Sequence, residues 1–237
     1  MTNYRNNPVL ENPAMLSVIE AALREDIGVG DITSNSIIPE DLHGEGTFLA
    51  KANGVLSGLD VAAAVFQILD ERIEIEASIE DGMPVVTGTK IARLHGPYRS
   101  ILTGERLALN FMQRMSGIAS MAAAFVKLTE GLDVRIMDTR KTAPGLRAFD
   151  KLAVTHGRGV NHRYGLDDMV LIKDNHIAVA GGLTEAVNRA AEQVPAGSQI
   201  KIEVETDTLE QVHEALSCER VDVIMLDNFE LTAMREA

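Results

Sequence analysis

Very little in this 237-residue chain could form a disulfide, a base-stacking platform or a membrane span. Cys218 is the only cysteine, so no internal disulfide can form and a reducing, cytoplasmic setting is expected. Tryptophan is absent and aromatics make up 4% of the residues, which leaves no obvious platform for nucleobases. The net charge of −13 argues against general binding to nucleic acid or to a membrane surface, both of which are polyanions. No apolar run approaches the roughly 20 residues that cross a bilayer, and the polar start Met-Thr-Asn-Tyr-Arg-Asn-Asn lacks a signal-peptide core. Neither a G-x-G-x-x-G turn after a strand nor a G-x-x-x-x-G-K-[ST] loop occurs. What is present, 46% apolar and 24% charged residues, suits a globular protein of one large or two modest domains.

Against the acidic background, residues 139–163 are basic. Arg140, Lys141, Arg147, Lys151, Arg158 and Arg163 face only Asp150, a net charge of +5. Guanidinium and ammonium groups concentrated in this way point to small anions, carboxylates and phosphates held in a pocket.

The first hundred residues read as mixed α and β. Asn12 before Pro13 predicts a helix start, followed by an apolar stripe of Leu16, Ile19 and Leu23. Residues 46–52 read as a strand, Val61–Leu69 as an apolar helix, and Ile73–Ala77 alternates as a half-buried strand should. Asp81-Gly82 marks a turn. From Tyr98 the pattern is helical for some thirty residues, with a break expected near Gly117.

After Gly131 short apolar runs at Val134–Met137, Met169–Ile172, Ile200–Val204 and Val221–Leu226 alternate with helical stretches at Leu146–Val154, Leu183–Val194 and Leu209–Leu216. This rhythm predicts parallel strands with crossover helices, a barrel ahead of an open sheet. The runs end in Asp138-Thr-Arg-Lys141, Lys173-Asp-Asn-His176, Glu205 and Asp227-Asn228. In parallel α/β folds the C-terminal strand ends line one mouth, where ligands bind.

Each of these groups has a plain alternative. Basic runs are most often solvated cations. Glu205 and Asp227 supply hard oxygen ligands suited to Mg²⁺, and they could equally pair with local lysines; Glu203 points the same way as Glu205 by strand periodicity. Lys173 at a strand end could be a Schiff-base nucleophile of the aldolase type or a cation for a multiply charged substrate. His162 and His176 could move protons or simply hydrogen-bond. Asp31, Thr33 and the Gly82 turn read as structural, and Cys218 as packing.

The chain resembles the quinolinate phosphoribosyltransferase family. The resemblance lies in Gly30-Asp-Ile-Thr33, Gly104-Glu-Arg-Leu-Ala-Leu-Asn110, Thr139-Arg-Lys-Thr142 with Pro144-Gly-Leu-Arg147, Asn161-His-Arg163, Leu171-Ile-Lys-Asp-Asn-His176, Glu203-Val-Glu205 and Leu226-Asp-Asn228. It implies an α/β protein with an α+β N-terminal domain, residues 1–115, followed by a parallel α/β barrel, residues 116–237. It implies transfer of a phosphoribosyl group from phosphoribosyl pyrophosphate to quinolinate, giving nicotinate mononucleotide, pyrophosphate and CO₂ in NAD biosynthesis. Quinolinate would be held by Arg140, His162, Arg163 and Lys173, and by Arg106 from the partner subunit of a homodimer. Thr139 and Lys141 would serve the substrates, Lys141 on the phosphoribosyl side. Glu205 and Asp227 would hold Mg²⁺ or the ribose. Lys141, Lys173, Glu205 and Asp227 would be the catalytic set.

Two departures from the family pattern stand out. Arg158, between Gly157 and Gly159, stands where the family usually carries glycine, and the chain stops at Ala237, ten residues past Asp227, where the family continues through two more strands. The barrel is therefore expected to be incomplete, from a sequence cut short ahead of the alternative, a degraded and inactive relative. The alternatives are a molybdenum-transport-associated relative, a nicotinate phosphoribosyltransferase, a Schiff-base enzyme using Lys173 or Lys141, and a module that only binds a pyridine carboxylate.

Overall fold

The computed structural model describes residues 2–3, 7–195 and 197–237; of the polar N-terminal start, Met1, Tyr4, Arg5 and Asn6 lie outside the described residues. The chain forms two compact units, Met1–His162 and Arg163–Ala237.

In the first unit, helix α1 (Pro13–Ile27) begins as its sequence predicts. The Asn12 carboxamide oxygen accepts from the amides of Ala14 and Met15, and Pro13 occupies the first turn, where its missing N–H costs nothing. Its buried stripe is Met15, Ile19 and Leu23, with Leu16 only half-buried. Helix α2 (Ile32–Ile37) is capped by Asp31, which accepts from the Ser34 amide and the Thr103 hydroxyl. Those bonds, the Ser34 ones foremost, hold its carboxyl below the usual range.

Helix α3 (Leu59–Leu69) is the centre of this unit's core, with Leu59 and Val61–Phe66 all buried. The Asp81-Gly82 turn serves it directly: the Asp81 carboxylate accepts from the Leu59 amide at 3.0 Å and the Asp60 amide at 3.4 Å. Gly58 precedes the helix at φ +95°, where a Cβ would lie 3.1 Å from the Met112 Cα. Packed against α3 is α4 (Tyr98–Leu128), about 46 Å long at 1.5 Å per residue. A Cβ at Gly104 would meet the Phe66 ring at 2.7 Å, so glycine lets these helices approach.

The break expected near Gly117 is not there. Gly117 is exposed, while Met115, Ala119 and Ala122 on the same helix are buried. Their packing outweighs the roughly 1 kcal/mol that an interior glycine costs relative to alanine.

A four-stranded antiparallel sheet flanks these helices in the order β1 (Thr2–Asn3), β4 (Glu74–Ala77), β6 (Lys90–Pro97) and β2 (His43–Leu49); β3 (Gly54–Val55) and β5 (Pro84–Val85) form a separate ribbon. Ile75 and Ala77 turn inward and Glu74 and Glu76 outward, as the alternation predicts. Strand β6, the central partner of both β2 and β4, has no counterpart in the sequence reading. Residues 134–137 do not form the predicted strand. Met137 makes one parallel bridge to Val160, tied by the Val160 amide to Ile136 and the Asp138 amide to Val160. The chain then enters α5 (Arg147–His156).

The second unit is a parallel sheet β7 (Val170–Ile172), β8 (Ile202–Thr206), β9 (Val223–Leu226), with β8 in the middle. Helices α6 (Asp174–Ala180) and α7 (Leu183–Gln193) connect β7 to β8, α8 (Leu209–Leu216) connects β8 to β9, and α9 (Leu231–Glu236) follows. The core is Ile172, Leu183, Val187, Ile202 and Val204, the apolar runs that define the strands and one face of α7.

Candidate active site

Most of the predicted residues fall into one group in each unit, Arg106 and Arg163 apart. In the first unit, Thr139, Arg140 and Lys141 lie on the loop between the Met137 bridge and α5, and His162 follows Val160. This loop is held at both ends by α5. At its start, the Asp138 carboxylate accepts from the Lys151 ammonium at 2.5 Å and the His162 amide at 2.9 Å, and Lys151 also donates to the His162 carbonyl at 3.0 Å. The Asn161 side chain, turned so that its nitrogen meets acceptors, donates to the other Asp138 oxygen at 2.6 Å and to the Lys151 carbonyl at 3.0 Å. At the loop's far end, the Ala143 amide donates to Asp150 at 3.4 Å and Arg147 Nε to the Thr142 hydroxyl at 3.3 Å. Asp150 is gripped by Arg114 through two bonds of 2.8 Å. That fork, chiefly by direct hydrogen bonding, raises the guanidinium's proton affinity.

Between the two anchors sit the cations. Lys141 is exposed, its amide bonded to the Thr139 hydroxyl at 3.1 Å. Arg140 is half-buried, and its Nε is inaccessible to solvent yet has no hydrogen-bond partner. A buried unpaired guanidinium N–H is costly, and an anionic acceptor would relieve it. Arg106 lies exposed on α4.

In the second unit, strand register brings three predicted residues together. Ile172 pairs with Val204 and Glu205 with Met225, so Lys173 stands level with Glu205, and Asp227 extends the next strand two residues beyond Met225 on the same face. Lys173 and Glu205 form an ion pair; the lysine side chain is 43% exposed and the carboxylate 15%. Glu203, on the same face and closer to the core, is buried. Arg163 donates to the Met169 carbonyl at 3.1 Å. Asp168 caps the turn below it. Burial opposes its charge, but the Tyr164 and Gly165 amides and the Arg163 charge keep its carboxyl below the usual range.

His176 has a structural task. Its Nδ1 accepts from the Lys173 amide at 2.9 Å, capping α6, which fixes the proton of the neutral ring on Nε2. The ammonium of Lys173 is engaged by Glu205, an arrangement unlike the neutral, desolvated amine a Schiff base requires. Glu205 and Asp227 offer two hard oxygen donors, and among the described residues no three His, Cys, Asp or Glu side chains could share a metal ion. Such a pair suits Mg²⁺, which keeps water and substrate phosphates as its other ligands, and does not suit a protein-enclosed metal.

The sequence reading missed two ion pairs, the buried Asp138–Lys151 and the partly exposed Arg114–Asp150. The available signal was Asp150-Lys151 lodged between Phe149 and Ala153, charged residues within the apolar face of a helix. Arg158, the departure from the family's glycine, is exposed at φ +65°, a conformation that glycine adopts without strain.

Among the described residues no helix is long and apolar enough to cross a membrane. Residues 31–116 match the N-terminal domain of quinolinate phosphoribosyl transferase, and residues 118–237 match its C-terminal domain. The chain is 45% identical over 218 residues to quinolinate phosphoribosyltransferase [decarboxylating] 1b of Nicotiana tabacum, covering 89% of this chain and 62% of that protein. It is 45% identical over 204 residues to a probable nicotinate-nucleotide pyrophosphorylase [carboxylating] of Bacillus subtilis, covering 86% and 69%. Among solved structures it is similar to NadC from Streptococcus pyogenes, with a TM-score of 0.88 and 39% identity over 93% of this chain and 77% of that one. The chain thus spans a little under two thirds of the tobacco relative's length. On both halves of its sequence, the chain belongs to the quinolinate phosphoribosyl transferase family.

Proposed function

We propose that this protein acts in NAD biosynthesis, joining quinolinate to the ribose of phosphoribosyl pyrophosphate with loss of pyrophosphate and CO₂. The observation that carries this reading is the solvent-shielded, unpartnered Nε of Arg140 on a loop of net positive charge. A dicarboxylate meets that need with a planar, bidentate acceptor. The row Lys173, Glu205 and Asp227 at neighbouring strand ends supports it as a place for a charged sugar phosphate.

In this reaction the pyridine nitrogen attacks the anomeric carbon as the bond from that carbon to the pyrophosphate oxygen breaks. The ring nitrogen becomes cationic. The bond from the adjacent ring carbon to its carboxylate then breaks, CO₂ departs, and the electron pair stays on that carbon until solvent protonates it. No covalent bond to the protein forms, so its tasks are positioning and charge neutralisation. Arg140, His162, Arg163 and Lys173 hold the two carboxylates, with Arg106 added from the partner of a homodimer. Thr139 serves substrate binding, and Lys141 faces the phosphoribosyl group and neutralises the departing charge. Glu205 and Asp227 hold Mg²⁺ or the ribose hydroxyls; the ion, when bound, offsets the negative charge of the leaving pyrophosphate. The lone cysteine and absent stacking platforms accord with a cytoplasmic enzyme of small anions.

The test is release of labelled CO₂ from carboxyl-labelled quinolinate. The reading expects release only with phosphoribosyl pyrophosphate and Mg²⁺, with one pyrophosphate formed per CO₂. Binding of quinolinate with no turnover, or release independent of phosphoribosyl pyrophosphate, overturns it.

A further inference from the structure

The Asp138–Lys151 pair lies in the first unit beneath the cations yet has no place in the chemistry above. Lys151 is 2% exposed, and its ammonium is spent on Asp138 and the His162 carbonyl. Asp138 in turn is satisfied by Lys151, the His162 amide and the Asn161 side chain. The two charges cancel, so the pair adds no net attraction for an anion. What it does is geometric. His162 is held by both its N–H and its C=O, and the loop bearing Thr139, Arg140 and Lys141 starts from the same carboxylate-bearing residue. The loop's other end is tied to Asp150, the neighbour of Lys151 on α5. Arg140 Nε makes no bond of its own, so the direction of its fork depends on how the loop is anchored.

We infer that Asp138 and Lys151 are positioning residues for anion recognition: together they fix the Thr139–Lys141 loop and His162 in the arrangement that receives the carboxylates. The inference rests on the quinolinate reading for the identity of the anion, and on the hydrogen bonds alone for the anchoring. Because a buried ion pair exchanged for apolar residues of similar volume often leaves a protein folded, the double variant Asp138→Leu/Lys151→Met separates anchoring from stability.

Two readouts are needed, calorimetric titration with quinolinate and amide hydrogen exchange at His162 and Ala143. The expected result is a folded double variant whose His162 amide exchanges faster and whose quinolinate affinity falls by about tenfold or more, since small misplacements of binding groups are costly. Adding Arg140→Lys should cost little further, because both changes disable the same fork. Quinolinate affinity within about twofold of wild type, or unchanged exchange at His162, overturns the inference. If the wild-type protein itself fails to bind quinolinate, the functional reading falls, and the exchange result decides the anchoring. Should the double variant not fold, Asp138→Asn takes its place with the same two outcomes.

Discussion

Replacing Arg114 by methionine probes the second anchor of the basic loop. Methionine keeps much of the arginine stem's packing and removes the fork. The loss is two bonds of 2.8 Å to Asp150, whose side chain is only 9% exposed, leaving that carboxylate the Ala143 amide at 3.4 Å. Stripping a buried carboxylate of its cation costs about 3–5 kcal/mol when both partners are buried. The Arg114 side chain is 38% exposed, so water screens part of the interaction and about 2–3 kcal/mol is expected. With a urea m-value of about 2 kcal/mol/M, the midpoint should fall by roughly 1–1.5 M at unchanged m. Arg114→Met/Asp150→Leu removes both charges and should recover most of that loss, giving a coupling of about 2 kcal/mol. A single variant within 0.5 kcal/mol of wild type, on this about 1 kcal/mol scale for ordinary mutations, would refute the reasoning.

Three further outcomes follow from the geometry. Asp70 accepts from Arg72 through three bonds and from the Ser100 hydroxyl, and these, Arg72 foremost, hold its carboxyl well below the usual range against the effect of burial. Its folded-state pKa is thus depressed, so the stability it adds is complete above the unfolded value near 3.9 and lost as pH falls through the folded value; Asp70→Asn should be less stable at pH 7 by about 1 kcal/mol, with the gap closing below about pH 4 in thermal melts. Arg140→Lys keeps the charge but loses the fork, and should weaken quinolinate by about tenfold or more in calorimetry, with near-normal binding counting against the assignment. Arg106→Ala and Lys173→Ala, each inactive alone, should regain activity when mixed and allowed to exchange subunits; failure despite proven exchange would remove the shared site.

The sequence was most legible where one local rule met no rival. Asn12-Pro13 capped α1, the dense apolar run at 61–69 became the buried α3, and Leu209–Leu216 matched α8 residue for residue. Errors arose where tertiary contacts decided the outcome. Gly117 suggested a break, but buried Met115, Ala119 and Ala122 carry α4 through it. Val134–Met137 has strand composition, yet only Met137 finds a bridge partner. Strand β6 was missed because its burial departs from simple alternation at Ile91-Ala92 and Gly96-Pro97. Of the site, Lys173, Glu205 and Asp227 were legible because parallel strands bring their ends level. The support under Arg140 was not read, since Lys151 lies thirteen residues from Asp138 and its one sign of turning inward is its place beside Phe149 on α5.

On the proposed function, the cations grip two carboxylates on one pyridine ring. Paired calorimetric titrations with quinolinate and nicotinate test it most directly. With each charge-assisted bond contributing about 1.5–3 kcal/mol, and cations left unpaired by the monoacid, quinolinate should bind about 10³-fold more tightly. Equal affinities for the diacid and the monoacid would contradict it.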